Sequence, residues 1–338
     1  MNTYGPAYFS CPGKILFTTV LLCCVVLTGY AQSDDPVHVT PRVVGNTPAS
    51  SGIDETLNTH TRPLRSNVDM VLVPVTVTDP MDRLVTGLDK DNFAIFEGKE
   101  QQQIHTVSSE DAPISLGIIF DMSGSMKDKM EKAKEAAVEF LQTGNPEDEF
   151  FMVGFSDKPE LLSDFTQSIG DIQSRLVLPV GKGMTALLDG IYLGINEMKH
   201  AKHRRKALLI ISDGGDNHSR YTEGEVKNLV KEADVQIYAI GIFDAFPRTS
   251  EERFGPTLLN DISEITGGRA FTVNNPNELP DIAAKIGTAL RNEYVLAYLP
   301  ASKPRDGKWH KIKVKLLPPK GLPPLRVYSK QGYYAPGK

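Results

Sequence analysis

Four short apolar runs, "ISLGIIF" (114–120), "FFMVGF" (150–155), "ALLIIS" (207–212) and "VQIYAIGIF" (235–243), recur with helix-patterned segments between them. Nothing else in the chain constrains the fold as much. A strand buried on both faces reads as an unbroken apolar run, whereas a strand with one wet face alternates. Between the first two runs, Met130, Ala133, Ala137, Phe140 and Leu141 recur at helical spacing, and residues 186–198 and 223–233 repeat that rhythm. Strands alternating with helices predict an α/β fold with a doubly wound, mainly parallel sheet flanked by helices. This domain is read over residues 111–290.

The segments on either side follow a different period. In "VDMVLVPVTVTDP" the residues Val71, Val73, Val75 and Val77 alternate with others, and Asp79-Pro80 closes the run; period two means a strand. "NFAIFEGKEQQQIHTV" adds one or two strands, with Gly98 in a hairpin turn. Beyond residue 290, "YVLAYLP", "WHKIKVKLL" and "LRVYSKQGYY" return to period two, Ile312, Val314 and Leu316 alternating with Lys311, Lys313 and Lys315. Neither flank has enough strands to bury a face alone. The two flanks, residues 67–110 and 291–338, are therefore expected to pair into one small β module, with the α/β domain inserted in it.

Residues 1–31 read as a signal peptide: Lys14, then the apolar "ILFTTVLLCCVVLT", then small residues at Gly29 and Ala31 before Gln32. The apolar run is shorter than the roughly 20 residues a spanning helix needs, so cleavage leaves no transmembrane segment. All 3 cysteines, Cys11, Cys23 and Cys24, fall in this stretch, which leaves the exported chain without a disulfide. Residues 32–66 are rich in Ser, Thr, Pro, Asn and Asp without sustained period, the composition of a disordered linker. The expected destination is periplasm, cell surface or medium. A net charge of -5 gives no basic stripe of the kind nucleic acid demands.

The chemistry concentrates where apolar runs stop. "IIFDMSGSM" places Asp121, Ser123 and Ser125 at the end of the first run; "LLIISDGGDN" places Asp213 at the end of another; "GKGMTALLDG" offers Thr185 at a loop-to-helix junction. Open α/β sheets bind ligands at the carboxyl ends of their strands, near a switch in strand order. Two carboxylates and three hydroxyls are hard oxygen donors, suited to Mg²⁺, with Mn²⁺ or Ca²⁺ also acceptable, rather than zinc. Two carboxylates only just neutralise a divalent ion, and Mg²⁺ keeps exchangeable waters. A Glu or Asp side chain from a partner protein can then displace one of them. The competing explanation is plainer: the serines cap the next helix and Asp213 sits in a turn. Asp216 and Asn217 fail the spacing of a calcium-binding loop and read as turn residues.

In order, Asp121-x-Ser123-x-Ser125, Thr185 in "GMTALLDG" and Asp213 in "ISDGGD" resemble the metal-ion-dependent adhesion site of the von Willebrand factor type A domain, with all five positions present. The flanks, from "VPVTVTDPMDRLVTGLDKDNFAIFEGKEQQQI" to "QGYYA", are similar to a related family of exported proteins abundant in Acidobacteria, extending the likeness over residues 68–336. The resemblance implies a divalent-metal-dependent protein-binding or adhesion module, and no catalysis. Two other classes compete: an Mg²⁺-dependent hydrolase, and a structural envelope component whose metal site is vestigial. Against the first, a dehalogenase-type phosphatase needs an acid where Ser123 stands, and the chain has no G-x-S-x-G, H-E-x-x-H or P-loop motif. "GKGMTA" lacks the acid that a dinucleotide site requires some 20 residues later, so no nucleotide is expected. The basic run 199–206, with His200 and His203, reads as a solvated helix end.

Overall fold

The computed structural model describes residues 70–109, 111–177, 183–213, 215–243, 250–302, 304–319 and 321–337. The expected signal peptide and linker lie outside the described residues. Chain order begins with four strands, β1 (Val71–Thr78), β2 (Phe93–Glu97), β3 (Glu100–Gln102) and β4 (Ile104–Ser108). There follow β5 (Ile114–Asp121), α1 (Met130–Gln142), β6 (Glu149–Phe155), β7 (Pro159–Thr166), α2 (Ile169–Arg175), α3 (Leu187–Glu197), β8 (Arg205–Ser212), α4 (Glu223–Glu232), β9 (Gln236–Ile242), α5 (Ser250–Thr266), β10 (Ala270–Val273) and α6 (Leu279–Arg291). Four strands close the chain: β11 (Tyr294–Tyr298), β12 (Trp309–Leu316), β13 (Arg326–Ser329) and β14 (Gly332–Tyr334).

The central sheet has the order β10-β9-β8-β5-β6-β7. Every pairing in it is parallel except β6 with β7, where the chain doubles back into an antiparallel edge. That edge strand is a finding beyond the sequence reading. "PELLSDFT" is only half-buried, and its mixed polarity hides it among loop residues.

Strand β5 shows why both faces are covered. Ile114, Leu116, Ile118 and Phe120 pack into a core shared with α1, α2 and α6, while Ile119 joins a second core built with α3, α4 and α5. Side chains alternate across a strand, so an unbroken apolar run is what two helical layers require. Gly117 marks the tightest point: a Cβ there would stand 2.4 Å from the Phe151 ring.

Helix α1 forms from "MEKAKEAAVEFLQ", a run of strong helix formers free of Gly and Pro. Its buried stripe, Met130, Ala133, Ala136, Ala137, Phe140 and Leu141, has the spacing of one helical face. Just beyond it, buried Asp148 accepts the Ile114 and Asn145 N–H groups, both at 2.8 Å, and pairs with Arg291 at the end of α6.

The outer strands form two four-stranded sheets, β13-β1-β11-β4 and β14-β12-β2-β3. Each mixes strands from before and after the α/β domain, so the flanks do pair with one another. A common apolar core joins them: Val71, Val73, Val75 and Val77 meet Phe93, Ile95, Leu296, Tyr298, Ile312 and Val314. The chain leaves this module after β4 and re-enters it at β11, and those two strands are hydrogen-bonded neighbours, Ser108 opposite Val295. Arg205 at the start of β8 holds both crossing points, donating to the carbonyls of Ala112 (3.1 Å) and Leu290 (2.5 Å) and to Glu293 Oε1 (2.8 Å).

Candidate metal centre

The chain runs from β5 outward to β6 on one side and returns at β8 on the other, so the carboxyl end of β5 is where strand order reverses. Ligand sites in open α/β sheets form at such a point. Asp121 is the last residue of β5 and is fully buried. Its Oδ1 accepts the Ser123 N–H at 2.9 Å, which folds the chain sharply after the strand. Its Oδ2 accepts the Ser212 hydroxyl at 2.6 Å from the end of β8.

The two serines are not helix caps. Ser123 precedes a single 3-10 turn, Gly124–Met126, and makes no side-chain capping bond; the residue that opens α1 is Lys129, again with no side-chain cap. Instead the Ser123 and Ser125 hydroxyls lie 3.0 Å from each other. Ser123 is buried and Ser125 is exposed. A hydroxyl set beside another hydroxyl still has lone pairs to offer.

Thr185 arrives on the neighbouring loop. Gly124 N–H reaches the Gly183 carbonyl at 3.4 Å, which sets the two loops side by side. Gly183 has φ +155, and a Cβ there would lie 2.4 Å from the Asp157 carboxylate; that carboxylate in turn accepts the Met184 N–H at 2.7 Å. Thr185 itself is buried, with its N–H donated to Asn217 Oδ1 at 2.9 Å and its carbonyl accepting from Asn217 N at 3.0 Å. The hydroxyl does not cap α3, which opens at Ala186 without a side-chain cap.

Asp216 and Asn217 thus do more than turn their own loop. Besides a local bond from the Ser219 hydroxyl at 2.5 Å, Asp216 Oδ1 accepts the Leu188 N–H at 3.2 Å, in the first turn of α3. Asp189 completes the lock from the other side, accepting the Arg220 and Tyr221 N–H groups at 2.8 and 3.1 Å. These residues fix the Thr185 loop against the segment that follows Asp213. Sequence reading passes over Asp189, although it stands in the quoted "TALLDG".

Asp213 directly follows Ser212 and is mostly buried. Lys129 approaches its Oδ2 at 3.6 Å and donates to the Ile242 carbonyl at 3.2 Å. Burial is the main force on Asp121, and the Asp213 charge adds to it; together they push the Asp121 carboxyl up to about 6 against the bonds from Ser123 and Ser212. Burial likewise raises Asp216.

The arrangement fits a hard divalent ion on its own chemistry. Two carboxylates repel each other at the sheet edge, and a cation between them removes that cost. Three hydroxyls stand on the same two loops without a capping role. Among the described residues no cluster of three or more His, Cys, Asp or Glu side chains has the makings of a metal site, so what the fold offers is an oxygen set rich in hydroxyls.

Known proteins resemble the part of the chain that carries these residues. Residues 116–215 match the family model of the von Willebrand factor type A domain. Residues 116–215 are thus similar to a von Willebrand factor type A domain, and they lie within an α/β fold carried between two β flanks. The chain is 24% identical over 197 residues to an uncharacterised protein of Borreliella burgdorferi, a match covering 52% of this chain and 57% of the relative, so a little over half of that protein is spanned. Among solved structures it is similar to the von Willebrand factor domain of a type V pilus tip protein from Porphyromonas gingivalis, with TM-score 0.45 and 12% identity over 53% of this chain and 95% of that one. The proximal thread matrix protein 1 of the mussel byssus, solved with zinc in its adhesion motif, gives TM-score 0.46 and 19% identity over 57% of this chain and 48% of that one.

Proposed function

We propose that this protein is an exported, divalent-metal-dependent protein-binding module. Asp121, Ser123, Ser125 and Thr185 hold Mg²⁺ directly or through water, and Asp213 holds it from the second sphere or through water; Mn²⁺ or Ca²⁺ can take its place. The ion supplies an open coordination position that accepts a Glu or Asp carboxylate of a partner protein. The observation that carries this reading is the state of the hydroxyls: Ser123 and Ser125 face each other at 3.0 Å and cap no helix, beside a carboxylate that burial makes costly to ionise. The chain's own residues set the geometry. Ser212 orients Asp121, and Asn217 and Asp216 hold the Thr185 loop at the same edge.

The same groups support a reading of adhesion rather than catalysis. Asp121 is bonded to two serine positions, neither of them an acid–base partner. Export rests on the signal-like residues 1–31, and the likeness of the flanks to exported proteins of Acidobacteria supports it. Among the described residues no helix is long and apolar enough to cross a membrane.

The test is thermal unfolding of chelator-treated protein titrated with Mg²⁺, Mn²⁺ and Ca²⁺. An ion that binds only the native state raises the midpoint by mass action, by about 2.7 kcal/mol of stability at 100 times its dissociation constant. Wild type is expected to respond. A flat midpoint for all three ions would leave the serines without a role.

A further inference from the structure

We infer that the outward face of the β14-β12-β2-β3 sheet docks the protein on an anionic lipid bilayer. This surface is separate from the metal centre and does not depend on it.

Strand β12 presents the chemistry. Ile312 and Val314 enter the sandwich core, so the alternate positions face out, and Lys311, Lys313 and Lys315 are all exposed. Leu317 continues the same row. Its N–H reaches the Asn92 carbonyl at 2.7 Å, which carries the pairing of β12 with β2 one step further, and the residue is 55% exposed. Residues on one face of a strand recur about every 7 Å, so three ammonium groups lead to an apolar tip.

The row lacks a counter-charge. Ala94 stands opposite Lys315 and Phe96 opposite Lys313, with Gln101 of β3 beyond Phe96. Glu97, the one acid of β2, lies opposite buried Ile312 and accepts from the core residue Tyr298 through its hydroxyl at 3.2 Å. Among the described residues no carboxylate pairs with these three lysines. Lysines often guard edge strands against stray pairing, but β12 lies between β14 and β2, where no guard is needed. The chain as a whole is acidic, at -5, so the row is a local exception.

The apolar residues beside the lysines select the kind of anion. A soluble polyanion gains little from Leu317, or from Leu322, 44% exposed in the loop that follows β12. At a bilayer surface, lysines meet the headgroup phosphates while leucines enter the acyl boundary. Phe96 sets an apolar ring against the Lys315 ammonium, 4.5 Å from the ring centroid. Each lysine near an anionic surface adds about fivefold in affinity, three of them about a hundredfold, and salt screens the gain.

The experiment is sedimentation of the purified chain with vesicles of phosphatidylcholine, with and without phosphatidylglycerol, in chelator throughout so that no metal contributes. Wild type is compared with Lys311→Gln/Lys313→Gln/Lys315→Gln, with Leu317→Ser/Leu322→Ser, and with Lys199→Gln/Lys231→Gln/Arg253→Gln, which removes equal charge elsewhere. Circular dichroism verifies folding, and Lys313→Gln alone, expected to cost about fivefold, serves should the triple variant misfold. The expected result is salt-sensitive binding of wild type to phosphatidylglycerol vesicles only, about a hundredfold weaker in the β12 triple variant, weaker in the serine pair, and unchanged in the charge-matched control. No vesicle binding by wild type, or an equal loss in the control, overturns the inference. Binding to polygalacturonate or oligothymidylate through the same lysines, as tight as to vesicles and undiminished in the serine pair, overturns the lipid assignment.

Discussion

Replacing Asp121 by Asn should act on stability in opposite directions with and without metal. In the metal-free protein, Asp121 is fully buried and its carboxyl is raised to about 6, first by desolvation and then by Asp213. The native state therefore holds a proton that the unfolded chain, near 3.9, has released. The sign follows: with fewer protons bound in the unfolded state, stability falls as pH rises through the window from about 4 to 6. A shift of about two units corresponds to about 3 kcal/mol above that window. Asn is nearly isosteric and carries no charge. Its carbonyl can accept from Ser123 N–H, and its amide can donate to the Ser212 hydroxyl, which rotates to accept. Allowing about 1 kcal/mol for weaker hydrogen bonds, Asp121→Asn should be about 2 kcal/mol more stable than wild type in chelator at pH 7, and about 1 kcal/mol less stable below pH 4. Adding Mg²⁺ should reverse the ranking, because only wild type gains from the ion. Urea denaturation at pH 4, 5, 6 and 7, with chelator and with Mg²⁺, measures all of this. A variant less stable than wild type in chelator at pH 7, or one that still responds to Mg²⁺, would refute the reasoning.

Two further substitutions separate structural from ligand roles. Ser123→Ala should leave chelator-treated stability within about 0.5 kcal/mol, since no cap is lost, yet remove most of the Mg²⁺ response; a loss of about 1 kcal/mol without metal would restore the capping explanation. Asp148→Ala should destabilise by about 3 kcal/mol in urea with or without metal, because it strands the N–H groups of Ile114 and Asn145 and leaves Arg291 with Asp111 as its remaining carboxylate partner.

How far the chain can be read without a structure depends on the range of the interaction. The strand ending at Asp121 is legible because burial on both faces leaves a local mark, the uninterrupted "ISLGIIF". So is the inward face of β1, where Val71, Val73, Val75 and Val77 all enter one core. The antiparallel edge β7 escapes because it is half-buried and mixed in polarity. "NFAIFEGKEQQQIHTV" shows a hairpin about Gly98, and the structure resolves that stretch into three strands, β2, β3 and β4, since the last of them joins a different sheet. Around the site, Asp121 and Asp213 stand at strand ends that the pattern marks. The bonds that steady their neighbours do not show in it: Asn217 meets Thr185 across 32 positions, Asp216 meets Leu188 across 28, and Ser212 meets Asp121 across 91. Asp216 and Asn217 look like turn residues because the local part of their role is all that a single sequence displays. Lys129 looks like one more charge on an amphipathic helix until Asp213 is seen beside it.

The pairing of β4 with β11 has a kinetic consequence. Val71 lies opposite Tyr298, and Ser108 opposite Val295, so the sheet that carries β1 cannot close until the whole inserted domain has been made. For a flexible chain, such separation is a large entropic barrier and a source of slow folding. Once the insert has folded, its first strand and last helix already bring residues 112 and 290 under the same Arg205 side chain. The long loop has then shrunk to the width of one guanidinium group. The inserted α/β domain should fold first, as a unit, and template the surrounding sandwich.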